Sequence, residues 1–320
     1  MEKLFKTVSF MSATLVMVLL ASIFFSLFHT AKPAIEEYGF GFIKEKAWDE
    51  EVPIENDIAA TPVKKEEPKA AVSSDDDDLA SMLAGNTSDV PTKTVYGGLI
   101  PIVGTLLSTL IAMIFALPIA MGIAVFLAEI APKQISNIVG IAIELLAAIP
   151  SIIFGMWGLF YFAPIVQSFV GGYQVSLLTA GLVLGVMILP FMAAITRDSM
   201  RTTPDVLKES AYALGATKFE VIKDIIFPYS KAGIIGSVIL ALGRALGETM
   251  AVAFLIGSVF SLPTSLTSPT VSIPVAMANS FGEATGMKTS ALFYLAFLLF
   301  IISFAVISIA KFYFLRKDNK

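Results

Sequence analysis

Six long apolar stretches decide what this chain can fold into: residues 8–28, 99–127, 138–165, 176–195, 233–260 and 290–314. A helix needs about 20 such residues to cross roughly 30 Å of hydrocarbon. Inside a bilayer the backbone must satisfy its own polar groups, and helices do so within one segment. The expectation is an all-α integral membrane protein with about six transmembrane helices. Composition agrees, since 56% of the 320 residues are hydrophobic and 15% are charged, where soluble domains carry about 25% charge. The first stretch exceeds the apolar core of a signal peptide, about 7 to 15 residues, and a good cleavage site does not follow it. It is read as the first span, within residues 1–31. Pro118, Pro150 and Pro190 fall within or near span ends, where neighbouring helices can satisfy the freed carbonyls.

Between the first two spans lies the one long hydrophilic segment, residues 32–96, rich in Asp and Glu and punctuated by Pro53, Pro62 and Pro68. It reads as a mostly disordered outer loop. Its run Asp75 to Asp78 lacks the alternating ligands and glycine turn of a calcium loop, so a solvated linker is expected and no metal site. Cysteine is absent, which removes disulfides, thiolate metal sites and cysteine nucleophiles. The lone histidine, His29, has no partner histidine and reads as an interfacial residue. No basic block suggests nucleic acid, and no cofactor motif occurs.

Orientation follows from lysine and arginine in short loops and near span ends. Lys3, Lys6, Lys133, Arg197, Arg201, Lys208, Lys218, Lys223, Lys231, Lys311, Arg316, Lys317 and Lys320 all fall on one side. Both termini, including the tail 318–320, and the loop 197–232 are therefore expected in the cytoplasm, with the acidic loop outside. The chain has neither a G-x-x-x-x-G-K-[ST] phosphate loop nor a G-x-S-x-G elbow. It is expected to be no enzyme, and any work it does draws on a partner or an ion gradient.

The loop 197–232 carries helix signals. Thr203 stands as a candidate N-cap, Pro204 and Asp205 open the first turn, and Gly215 closes the helix. Val206, Leu207, Ala211 and Leu214 recur at helical spacing, with Lys208 and Glu209 on another face. A second short amphipathic helix, residues 218–226, is expected to end before Pro228.

At these residues the chain resembles the permease subunits of binding-protein-dependent ABC importers. Their E-A-A…G…I-x-L-P signature stands here as Glu209-Ser210-Ala211, Gly215, Ile225 and Phe227-Pro228, with Ser210 and Phe227 as departures. The resemblance, over roughly residues 97–317, implies a type I importer permease core. It further implies that Glu209, Ala211, Leu214, Gly215 and Pro228 couple the chain to an ATP-binding subunit dimer, beside a second permease subunit and an extracytoplasmic binding protein. Within that family, residues 243–251, GRALGETMA, are similar to a segment of the permeases for inorganic phosphate, as are residues 144–151 and 278–284. Phosphate is therefore the expected substrate. An importer for sulfate or molybdate, a stand-alone gradient-driven transporter or channel, and a phosphate-sensing component are the other readings.

The charges inside the apolar stretches are the candidate pathway residues: Arg244, Glu248 and Thr249 in the fifth span, Glu144 and Ser151 in the third. Arg244 is placed about 16 Å into a helix starting at Gly233, where a charge is costly and faces a bundle interior or a wet cavity. Glu248, at i+4, is within reach of a salt bridge with it. The arginine fork suits a tetrahedral oxyanion, and a buried pair that only fixes helix register is the other reading. Gly243 and Gly247 form a stripe suited to close helix packing. Glu144 is read as protonated, as paired with Arg244, or as paired with a second permease. Pro150 gives either a kink or a break that aims backbone N–H groups at an anion. The stretch 272–284 reads as a surface helix beside the outer mouth, a landing place for the binding protein.

Overall fold

The computed structural model describes residues 2–53 and 92–315. Among them are six helices long and apolar enough to cross a membrane. Helix α1 (Glu2–Tyr38) continues into a 3-10 turn, Gly39–Ile43. It lies along the last helix, α10 (Gly286–Leu315), through Phe24 and Phe28 against Phe297, with ring centroids 5.3 and 5.6 Å apart. Between them come α2 (Leu99–Ile130), α3 (Lys133–Ala147), α4 (Ser151–Val170) and α5 (Leu177–Arg201). After these follow α6 (Asp205–Ala213), α7 (Lys218–Leu246), α8 (Met250–Ala253) and α9 (Ile273–Ser280). Pro118 in α2 and Pro190 in α5 do not end their helices.

The centre of the bundle is the α2–α5 pair. A Cβ at Gly181 would stand 2.7 Å from Ile111 Cβ, and one at Gly185 2.8 Å from Phe115 and 3.1 Å from the Ala112 carbonyl. Two glycines four residues apart thus let the backbones approach, as small residues do where hexane-like lipid offers no hydrophobic drive. The expected stripe of Gly243 and Gly247 does not serve this way. A Cβ at Gly243 would only touch Ile307 at 3.3 Å, and Gly247 is exposed.

Two of the expected spans are interrupted. The stretch 138–165 is not one helix, because α3 stops at Ala147 and α4 begins at Ser151. Pro150 lacks the N–H that a continuing helix needs and disfavours helical backbone in the residue before it. The stretch 233–260 also ends early, at Leu246, with Gly247 as its C-cap. At its other end α7 starts well before Gly233. Thr217 and Glu220 form a reciprocal cap, and the helix passes Pro228 without ending. The wide turn Val221–Ile226 just ahead of Pro228 accommodates the proline. The expected second short helix is therefore the foot of a span.

The outer loops also depart from expectation. Strands β1 (Trp48–Pro53) and β2 (Thr92–Tyr96) pair antiparallel, with Trp48 opposite Tyr96. Residues 32–53 and 92–96 of the segment expected to be disordered thus carry structure; residues 54–91, with the Asp75 to Asp78 run, lie outside the described residues. The hairpin is seated on the bundle. Trp48 stacks on Phe260 with centroids 5.1 Å apart, Tyr96 donates to Asp49 Oδ1 at 2.9 Å, and Lys288 Nζ donates to Asp49 Oδ2 at 2.6 Å. Helix α9 is no surface helix. Its residues Ile273, Pro274, Val275 and Ala276 are buried. The Ile273 N–H donates to Thr105 Oγ1 of α2 at 2.8 Å, beside Gly104, where a side chain would collide with the Val271 carbonyl. This outer segment dips into the bundle.

The bond from Lys288, aided by that from Tyr96, holds the Asp49 carboxyl below its usual range against the opposing effect of burial. Burial, and then the same carboxylate, pushes the Tyr96 hydroxyl up to about 12. A depressed carboxylate stabilises fully above its unfolded value and loses that contribution as pH falls through the lower folded value. Trp48 fluorescence, read in a Trp157→Phe background, should stay constant between about pH 5 and 9. It should shift only below the ordinary carboxylate range, and Asp49→Asn should remove that acid transition. A transition that persists in Asp49→Asn contradicts the tie.

Candidate functional site

Helix ends inside a membrane are tolerated only where protein or a wet cavity meets the freed backbone groups. In this chain the two interrupted spans meet each other. A Cβ at Gly155, in the first turns of α4, would lie 3.0 Å from Ala251 Cα and 2.9 Å from Phe254 of the α8 segment. The start of α4 therefore packs against α8. Ser151, half-buried, opens the one, and Glu248 and Thr249 immediately precede the other.

Glu248 serves the break itself. Its Oε1 accepts the Ala251 N–H at 3.2 Å, placing a carboxylate at the N-terminal turn of α8, where free N–H groups favour negative charge. The Thr249 hydroxyl donates to the Gly247 carbonyl at 3.3 Å. Arg244 stands in the last turn of α7, the end at which a helix favours a cation. Its guanidinium lies over the Phe191 ring of α5 at 5.6 Å from the centroid, a cation–π distance. Among the described residues no carboxylate pairs with it. The expected Arg244–Glu248 salt bridge is not formed. The i+4 relation requires a continuous helix, and the helix stops between the two. Counted from Lys231, the preceding charge on α7, Arg244 lies about 20 Å up the helix, the same level that the sequence reading reaches from Gly233.

Glu144 is paired elsewhere. Arg197 of α5 reaches it with Nη2 to Oε1 at 2.8 Å, and also bonds Asp198 Oδ1 through Nε at 2.9 Å. The arginine is 5% exposed and fits against α3 because Gly140 has no side chain; a Cβ there would collide with Nη1. Arg197 had been legible only as one more basic residue near a span end. The signal that could have found it is Gly140 and Glu144, i and i+4 on α3, a gap and a carboxylate on one helix face.

The loop helix α6 is held by its polar side. Lys208 Nζ lies 2.8 Å from Glu129 Oε1, at the end of α2. Ala211 and Ala216 pack on a small cluster of Ala124, Met200, Val221 and Ile226. The other side faces out, with Val206 70% and Leu214 90% exposed and Leu207, Tyr212 and Glu209 also exposed. Thr203 does not cap the helix; its hydroxyl is buried without a partner, and Pro204 holds the cap position. Gly215 ends the helix at φ 86°, a left-handed conformation suited to glycine, and its N–H donates to the Tyr212 carbonyl at 2.9 Å. Pro228 lies on α7, exposed, ten or more residues from α6 in the chain.

Residues 116–317 match the family model described as binding-protein-dependent transport system inner membrane component. The chain is 48% identical over 250 residues to the phosphate transport system permease protein PstC of Pasteurella multocida, covering 72% of this chain and 78% of that one. It is 41% identical over 330 residues to the protein of the same name from Haemophilus influenzae, covering 97% and 92%. To the probable phosphate transport system permease protein PstC of Methanocaldococcus jannaschii it is 32% identical over 334 residues, covering 98% and 93%.

If Glu248 acts as a cap, its charge is dispensable for stability and its acceptor is not. Glu248→Gln should leave the thermal stability of the purified protein nearly unchanged. Glu248→Ala should cost about 1 kcal/mol, the usual loss on removing a cap. Equal destabilisation by both would point to an ion pair instead.

Proposed function

The chain belongs to the family of binding-protein-dependent transport system inner membrane components, and on that premise we propose that it is the permease subunit of an ATP-driven importer of inorganic phosphate in a prokaryotic cell membrane. The observation that carries phosphate is the 41% identity that runs over 97% of the chain to a phosphate transport permease. The membership displaces the stand-alone transporter and channel readings.

The site chemistry supports the same reading. An arginine presents a planar fork of donors that matches two oxygens of a tetrahedral oxyanion. Arg244 is held in place by Phe191 and the end of α7, and among the described residues no carboxylate pairs with it. An incoming anion therefore displaces water rather than Glu248. The Glu248 carboxylate, on the α8 turn, keeps the anion from settling tightly nearby, as transport requires. Ser151 and Thr249, at the adjoining helix ends, supply hydroxyls along the route. A sulfate or molybdate ion fits the same fork, so discrimination belongs to an external phosphate-binding protein that loads the pore.

The chain has no phosphate loop of its own, so the energy comes from a partner. In our reading an ATP-binding subunit dimer grips the outward apolar face of α6, Val206, Leu207, Tyr212 and Leu214. A second, related permease completes the pore. The basic residues at the ends of α3, α5 and α7 support a cytoplasmic side for α6 and both termini.

The complex of this chain, its sister permease, the ATP-binding dimer and the binding protein, in vesicles, should take up labelled phosphate when ATP is supplied. Sulfate or molybdate outcompeting phosphate would refute the substrate. Arg244→Gln should lower uptake by more than about tenfold, the loss of a charge-assisted contact worth roughly 1.5 to 3 kcal/mol, with assembly and ATP hydrolysis retained. Gly215→Pro demands φ near −65° where the chain holds 86°. It should leave both permeases in the membrane while ATP hydrolysis no longer drives uptake; coupled uptake in that variant would contradict the docking role of α6.

A further inference from the structure

The ion pair between Lys208 and Glu129 joins α6 to the end of α2. Lys208 is on the helix that presents the apolar face, yet its own side chain turns the other way and is 17% exposed; Glu129 is 11% exposed. The acid on the same helix, Asp205, is 3.9 Å from Lys208 and 88% exposed, so Glu129 is the partner that matters. Solvent-exposed pairs contribute little, whereas one drawn out of water leaves an uncompensated charge when either member is removed. Glu129 lies in the wide turn Phe126–Ile130 that ends α2. One extra residue in a turn re-aims the side chains beyond it, and such turns recur at functional positions.

The far end of α2 reaches the outer side. Thr105, buried in its second turn, accepts the Ile273 N–H at 2.8 Å, and Gly104 receives the Val271 carbonyl. From Glu129 to Thr105 the helix runs 24 residues, about 36 Å. One rigid element thus joins α6 to the outer segment that dips into the bundle. Arg197 and Arg201 make parallel ties to α3, through Glu144 and through Ser136 at 2.6 Å. Neither touches α6.

We propose that Lys208 and Glu129 are the positioning pair through which displacement of α6 is passed to α2, and by α2 to the outer segment 271–276. The proposal rests on the importer reading. ATP binding moves the partner that holds Leu214 and Val206; the pair makes α2 follow, and the bond at Thr105 carries that movement to the outer mouth. Without the pair, α6 is left with only its apolar seat, to which α2 contributes Ala124 and α5 Met200, and α2 follows its displacement less completely.

The test uses the complete complex in vesicles and reads phosphate taken up per ATP hydrolysed. Glu129→Gln and Lys208→Met should each assemble and hydrolyse ATP at close to the normal basal rate, with uptake per ATP reduced at least fivefold. The exchange Glu129→Lys with Lys208→Glu should restore at least half of it. Unchanged uptake per ATP in both single variants overturns the proposal. So does an exchange that restores nothing, and so does a parallel fall of uptake, hydrolysis and assembled complex, the mark of a purely structural pair. If the unaltered complex moves another oxyanion instead of phosphate, the substrate reading fails while the pair is tested unchanged with that ion.

Discussion

A backbone amide or carbonyl left unpaired in hydrocarbon costs several kcal/mol, and the arrangement of this chain follows from where that cost is met. Two of its long apolar stretches are broken, after Ala147 and after Leu246. The helices that resume after the two stops pack on each other, the start of α4 against α8 through Gly155 and Ala251. Glu248 satisfies one of the freed N–H groups and Thr249 bonds the Gly247 carbonyl. The polar character around the second break is therefore built first by backbone, and Arg244, in the last turn before it, has no counter-charge among the described residues.

Several other charges near the helix ends are paired. Arg197 is bonded to Glu144 and Asp198, Arg201 to Ser136, Lys208 to Glu129 and Lys288 to Asp49. Each joins two elements that are far apart in sequence or closes a turn. Arg244, by contrast, lies over an aromatic ring and has no ion pair among the described residues. The same distribution separates two tasks along the molecule: ties at the end carrying α6, and an open donor fork where the helices break.

Much of this was legible in the sequence, because it depends on short-range chemistry. Apolar length gave the spans, Gly215 gave the end of α6, and the spacing from Glu209 to Pro228 gave the family resemblance. What was not legible depends on partners remote in the chain. Pro150 in an apolar run is compatible with a kink or a break, and only the packing of Gly155 on Ala251 selects the break. Arg244 and Glu248 read as an ion pair because i+4 spacing assumes a helix, while Gly247 ends it. The spacing of Val206 and Leu214 marks one face of the loop helix but does not say what holds its other side, which is Lys208 on Glu129. The hairpin of Trp48 and Tyr96 was hidden by the acidic composition around it, and its anchor, Phe260 with Lys288, lies more than 150 residues beyond.

The central claim is that the facing helix breaks form a wet route in which Arg244 attracts anions. The chain contains no cysteine, so Thr249→Cys supplies a single reporter thiol one residue beyond Glu248. Its reaction rate with a negatively charged thiol reagent should exceed that with a positively charged one by about tenfold or more, the scale of local field effects. Added phosphate should slow the negative reagent, and Arg244→Gln should erase the preference. A thiol that reacts with neither reagent, or equally with both in the presence of Arg244, would contradict it.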